Sequence, residues 1–197
     1  MTIPPIVLAS ASPRRRDLLC QIGIEPAAII PTDIDETPHQ RELPLRYALR
    51  MADEKARAIV LPDGINDGAV VLAGDTVVAV GRRILPKVET EDQARSCLAL
   101  LSGRRHRVYG GIALRLTDGT LRSRLVTSSV IFKRLHRDEI DAYIATSDWQ
   151  GKAGGYAIQG PAAAYIRHIE GSYSNIVGFS LYDVSAVSYT HLRAHET

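Results

Sequence analysis

At 197 residues, with 45% hydrophobic and 23% charged side chains, the chain has the size and composition of one globular domain with a substantial core, which excludes collagen-like, fibrous and extensively disordered classes. A net charge of +2 is too mild to mark a nucleic-acid binder, and 6% aromatic residues without basic and aromatic interleaving argue against a single-strand platform. Asp75 and Arg115 interrupt the apolar runs before they reach membrane-spanning length, and the N-terminal basic cluster follows its apolar run, the reverse of a secretory signal, so a cytoplasmic protein is expected.

Residues 6–9 predict a strand, and Ser12 followed by Pro13 offers an N-cap and a first helical residue. Leu18, Leu19 and Ile22 then recur at helical spacing up to a stop at Gly23. A clearer helix begins at Leu45, where Ala48, Leu49, Ala52, Ala56 and Ile59 trace one face until Pro62, and Lys55 is assigned to the polar face. Residues 70–73 and 76–80 predict strand on either side of a break at Asp75, and Gly81 with Arg82 turns the chain into Ile84 and Leu85. Thr90 and Gln93 have capping-box spacing ahead of Ala94, Cys97, Leu98 and Leu101, in a helix that ends at Gly103. The basic cluster Arg104, Arg105, His106 and Arg107 reads as a solvated helix-to-strand connection. A turn at 117–120 joins strands over 108–116 and 121–132 into a long hairpin, residues 138–145 predict a short helix, and the four glycines within 151–160 predict a loop. Cys20 and Cys97 lack metal or redox spacing and are assigned to core packing. The order of elements predicts an α/β protein with a mixed sheet.

Three segments carry candidate chemistry. The run Ser10-Ala11-Ser12-Pro13-Arg14-Arg15 lies where a strand gives way to a helix; free N–H groups, serine hydroxyls and arginine forks there suit phosphate, although a capped helix with solvent-facing arginines fits equally well. Asp75 is an isolated carboxylate in an apolar run and needs a cation or several donors to stay ionised. The acidic run Asp33, Asp35 and Glu36 could add a second carboxylate for magnesium, with Asp33 itself expected to be exposed, and Lys55 and Lys87 are point charges suited to phosphate.

Five ordered segments, LASASPRRRDLL, AGDTVV, LSGRRHRV, GKAGGYAIQG and GSYSNIVGFSL, resemble the motifs of the Maf-like nucleoside triphosphate pyrophosphatases over about residues 6–184. The resemblance implies an elongated α/β fold, like that of inosine triphosphate pyrophosphatases, with a twisted mixed β-sheet flanked by helices and a cleft between two lobes. It implies a homodimer, and hydrolysis of a nucleoside triphosphate to the monophosphate and pyrophosphate. Carried onto this chain, Asp75 orients or deprotonates the attacking water with Glu36 as acidic partner, the assignment between the two staying open. Ser10, Ser12, Arg14 and Arg15, with Lys55 and Lys87, hold the triphosphate, and magnesium, or manganese or cobalt in its place, lies between Glu36, Asp75 and the phosphates. Thr76 and Gln159 are similar to the branch acting on dTTP and UTP, or on modified pyrimidine nucleotides, with Gln159 reading the base edge through its amide. Gly154 and Gly155 would let backbone approach the nucleotide. A nucleotide-binding regulator of septum formation without significant catalysis is the alternative; no membrane and no nucleic-acid polymer is expected as a partner.

The chain departs from that pattern at Gly110-Gly111, where Thr-Gly is usual and the change is expected to be tolerated, and at Pro86-Lys87-Val88, where Lys-Pro order is usual. After Asp183 and Val184 a terminal helix would be usual, whereas SAVSYTHLRAHET shows no helical apolar period. Residues 1–187 are therefore expected to form the single domain, and 188–197 to be a foreign or frameshifted tail.

Overall fold

The structure, a computed structural model, describes residues 4–62, 64–65 and 68–192, the last five by backbone alone. Its centre is a seven-stranded mixed sheet in the order β2-β1-β3-β5-β6-β7, with β4 also on β3. The strands are β1 (Ile6–Ala9), β2 (Ala28–Ile29), β3 (Val70–Val80), β4 (Arg83–Leu85), β5 (Arg105–Arg115), β6 (Leu121–Phe132) and β7 (Ile166–Glu170). β1 runs parallel to both β2 and β3, and every other pairing is antiparallel. The helices are α1 (Pro13–Gln21), α2 (Pro44–Ala58), α3 (Glu91–Leu101), α4 (Arg137–Ala145), α5 (Tyr173–Val177) and α6 (Leu181–Leu192). None is long and apolar enough to cross a membrane among the described residues.

α2 covers one face of the sheet, where Ala52 and Ala56 pack on Val7, Ala9, Val71 and Ala73, and Tyr47, Ala48 and Met51 pack on Val77, Ala79 and Tyr109. The other face meets α1, α3, α4, α5 and α6 through a larger core that includes Leu19, Leu98, Tyr143, Phe179 and Val184. Small residues on α2 bring its backbone close: a Cβ built on Gly111 would stand 2.1 Å from the Ala48 carbonyl oxygen.

Several expectations change. β3 is continuous through Asp75, because Lys55 supplies the charge that lets a buried aspartate sit in a strand. Lys55 is on the inward face of α2, 6% exposed, since its spacing from Ala48, Ala52 and Ile59 places it among the core positions. Cys97 is buried, but Cys20 is exposed beside Leu18 and Leu19, which take the core side of α1. Ser12 occupies the N-cap of α1 but makes no side-chain cap bond. The expected non-helical tail is helical through Leu192, because Leu181, Val184 and Val187 carry a turn-by-turn apolar stripe, and Ser180 bonds the Asp183 N–H at its start. Residues 193–197 lie outside the described residues. The short strand β2, the edge strand β7 and the five-residue α5 have no counterpart in the sequence-based expectations.

The basic cluster after α3 is the opening of β5: Arg105 and Arg107 face solvent, whereas His106 is 1% exposed between the rings of Phe132 and Tyr156. Its Nε2 lies 2.7 Å from the Tyr156 hydroxyl, and Nδ1 is buried without a partner among the described residues. Burial lowers the imidazole to about 4, against an ordinary 6.5. The unfolded chain therefore binds the extra proton first as pH falls, so the stability due to neutral His106 is intact above about pH 6.5 and drains away toward pH 4, about 3 kcal/mol in all. In urea unfolding the wild type is expected to lose that much more than His106→Gln between those pH values; parallel pH profiles would refute it.

Candidate active site

β3 has a gap along one edge. β1 pairs with it over Val70 to Ala73 and β4 over Val78 to Val80, leaving the edge of residues 74–77 without a strand neighbour on that side among the described residues. A cleft of about 360 Å³ opens there. Ser10, Ser12, Arg14, Arg15, Glu36, Lys55, Asp75, Thr76, Lys87 and Gln159 all line it, so the ten residues singled out from the sequence come together in one place. Thr32, Lys152, Tyr156 and Gly178 join them without having been singled out. Lys152 sits inside the glycine-rich loop 151–160, where a lysine among residues that bring backbone close to a ligand was the available signal; Gly178 lies within the segment GSYSNIVGFSL, and Thr32 carried no signal.

Strand alternation divides the chemistry. Asp75 lies opposite Gly111 and its side chain points to the α2 side, where Lys55 Nζ is 2.7 Å from Asp75 Oδ1 and 2.7 Å from Glu36 Oε1. Lys87 Nζ reaches the other oxygen of Glu36 at 2.5 Å, so the altered order around Lys87 leaves it at the site. Both Glu36 oxygens are engaged, whereas Asp75 is engaged through Oδ1 alone among the described residues. Burial alone would raise the Glu36 carboxyl, but Lys55 and Lys87 together hold it below its ordinary value. Asp33 and Asp35 are exposed, and Asp35 accepts the Thr37 N–H at 2.9 Å.

Thr76 points to the opposite face. Its hydroxyl accepts from Arg15 Nη2 at 3.1 Å and donates to the Gly178 carbonyl at 3.4 Å. Arg15 also donates to that carbonyl through Nε at 3.1 Å and to Ser10 Oγ through Nη1 at 3.0 Å, and it lies over the Phe179 ring at 5.4 Å. Arg15 is thus built into the wall, buried and bonded through each of its three nitrogens, and burial lowers its guanidinium against the opposing pull of Asp75. Ser10 Oγ accepts from both Arg15 and the Ser12 N–H, which leaves its own proton to donate into the cleft. Arg14 is half-buried at the rim, and the Gln159 amide is exposed. Gly154, at φ +69°, lets the loop 151–160 lie against Val78.

The two carboxylates already converge on one small cation, the Lys55 ammonium. No group of three or more His, Cys, Asp or Glu residues gathers among the described residues, so a protein-only cage is absent. Two hard oxygen donors beside a strand-to-helix junction that carries serines and arginines fit magnesium, which takes one or two carboxylates and completes its shell with phosphate and water.

Fold and site together define a mixed-sheet α/β protein with a cleft, lined by carboxylates, lysines, arginines and serines, set into a sheet edge. The family model described as Maf-like protein matches residues 5–189, and the chain belongs to that family. It is 60% identical over 180 residues to a dTTP/UTP pyrophosphatase of Paramagnetospirillum magneticum, covering 91% of this chain and 93% of that protein. It is 58% identical over 183 residues to one of Rhodospirillum rubrum, covering 93% and 86%. Among solved structures, that of a HAM1 protein from Coxiella burnetii shares the fold at a TM-score of 0.50 and 16% identity, over 94% of this chain and 97% of that one.

Proposed function

We propose that the chain hydrolyses the α–β phosphoanhydride of dTTP and UTP, giving the nucleoside monophosphate and pyrophosphate. The observation that carries this reading is the single lysine, Lys55, bonded at 2.7 Å to each of two carboxylates at a cleft that Ser10, Ser12, Arg14 and Arg15 also line. The substrate class is supported by the relatives at 60% and 58% identity that are named for it.

In this reading a water oxygen attacks phosphorus, the bridging oxygen departs with pyrophosphate, and the water proton passes to Asp75, whose second oxygen is uncommitted. Lys55 and Lys87 fix the carboxylates and offset charge on the phosphates. Ser10, Ser12 and Arg14, with the N-terminus of α1, receive the phosphate chain. Arg15 acts from within the wall, held there by Thr76, and Gln159 meets the pyrimidine edge. Magnesium, with manganese or cobalt as substitutes, would be held by Glu36 and Asp75 and would neutralise phosphate charge. A homodimer acting on the cytoplasmic nucleotide pool completes the proposal.

The test is pyrophosphate release from dTTP, UTP, CTP, GTP and 7-methyl-GTP with magnesium present. Release confined to dTTP and UTP is the expected result. Preference for 7-methyl-GTP would overturn the roles of Thr76 and Gln159, and binding of dTTP without release from any nucleotide would favour the regulator of septum formation.

A further inference from the structure

Glu36 belongs to a stretch, residues 30–43, that has neither helix nor strand, so its own backbone ladder does not fix where the carboxylate stands. Two side chains of α2 do. The Tyr47 hydroxyl donates to the Glu36 carbonyl at 2.6 Å. One turn further along, Arg50 donates to the Thr37 carbonyl at 3.2 Å through Nη2. The same guanidinium grips Glu42 with a two-pronged bond, Nε and Nη2 each 2.8 Å from a carboxylate oxygen, and lies 5.5 Å from the centre of the Tyr47 ring. Glu42 in turn accepts the His39 N–H at 2.9 Å, closing the segment into a loop, and Arg50 holds its carboxyl down at about 2. Burial beside Asp75 and Glu36 raises the Tyr47 phenol to about 12, so it stays a hydrogen-bond donor throughout the working pH range.

We propose that Tyr47 and Arg50 are positioning residues that set the Glu36 carboxylate against Lys55, an inference that rests on the role given to Glu36 above. The geometry is that of a jig: Tyr47 and Lys55 project from the same side of α2 two turns apart, one holding the Glu36 backbone and the other its carboxylate. A rigid helix thereby fixes both ends of a residue that lies on irregular backbone. A second cavity of about 340 Å³ lies against Tyr47, Pro38, Ile84 and Pro86, so open space adjoins Glu36 on that side and a loosened segment has room to swing into it. Misplacement of a reacting group by about 1 Å is enough to cost about a hundredfold in rate.

The experiment is a double-mutant cycle between Tyr47→Phe and Glu36→Gln, with Arg50→Gln as a second clamp variant. It is read on kcat for dTTP and, by electron paramagnetic resonance, on Mn2+ affinity. Tyr47→Phe removes one hydroxyl and keeps the packed ring, so it is expected to lower kcat about tenfold with KM within about twofold, and to weaken Mn2+ about fivefold. Both losses are expected to vanish when Glu36 is already glutamine. Unchanged kcat and Mn2+ affinity in both clamp variants would overturn the proposal, as would the same loss in the Glu36→Gln background. If the wild type releases no pyrophosphate at all, the functional reading fails, and the Mn2+ cycle still decides whether the clamp acts through Glu36.

Discussion

Asp75→Asn is expected to lower the single-turnover rate of pyrophosphate release by about a thousandfold while leaving the fold intact. Asparagine keeps the shape of the side chain and an oxygen for Lys55, which retains Glu36 as its ionic partner at 2.7 Å. The loss should therefore fall on proton transfer and not on the packing between α2 and β3. Binding of dTTP, measured calorimetrically without divalent metal, is expected to be unchanged or tighter, because one negative charge fewer faces the phosphate chain. A variant that releases pyrophosphate within tenfold of the wild type would move the proton acceptor to Glu36. Lost binding together with lost rate would assign Asp75 to holding the substrate.

The second large effect lies at a departure from the family's usual pattern. A Cβ built on Gly110 would stand 1.9 Å from Asn175 Oδ1, so the Asn175 side chain occupies the space that a residue at 110 would otherwise fill. Asn175 is fully buried and donates to the Val108 carbonyl at 3.3 Å and to Ser128 Oγ at 3.0 Å, tying α5 to β5 and β6. Gly110→Thr must expel it, breaking both bonds and shifting α5, whose following residue Gly178 holds Arg15 and Thr76. A loss of about 3 kcal/mol in urea unfolding is expected, with at least half recovered when Asn175→Ala is added, although that change alone costs about 1 kcal/mol. Simple additivity of the two changes would show that position 110 and Asn175 do not compete for the same space. The space above Gly110 is thus filled by the Asn175 side chain.

Most of the scaffold was legible because its elements carry strong local signals: the apolar stripe of α2, the capping box of α3, the turn between β5 and β6. What escaped was set by tertiary partners. β7 is an edge strand whose side chains are exposed or half-buried, so it lacks an alternating pattern, and α5 is too short to show a period. Lys55 and Asp75 were misplaced for one shared reason. A charged residue read alone belongs to the surface or to a break, but the two neutralise each other across α2 and β3, and only the fold brings residues 20 apart in sequence into contact. The period of α2 did put Lys55 on the core side, and the residue type overruled it. For the site, the sequence picks out ten residues that the fold gathers in one cleft, while how they pair does not follow from it: that Arg15 is held in the wall by Ser10, Thr76 and Gly178 depends on distances.

The missing strand neighbour along residues 74–77 has a geometric consequence. Adjacent side chains on a strand leave by opposite faces, so Asp75 and Thr76 can share a cleft only where the sheet has a rim between them. A ligand that meets both must straddle that rim, bent around a bare stretch of main chain like a rider across a saddle. Such a path is open to a flexible chain and closed to a stiff planar molecule of the same length.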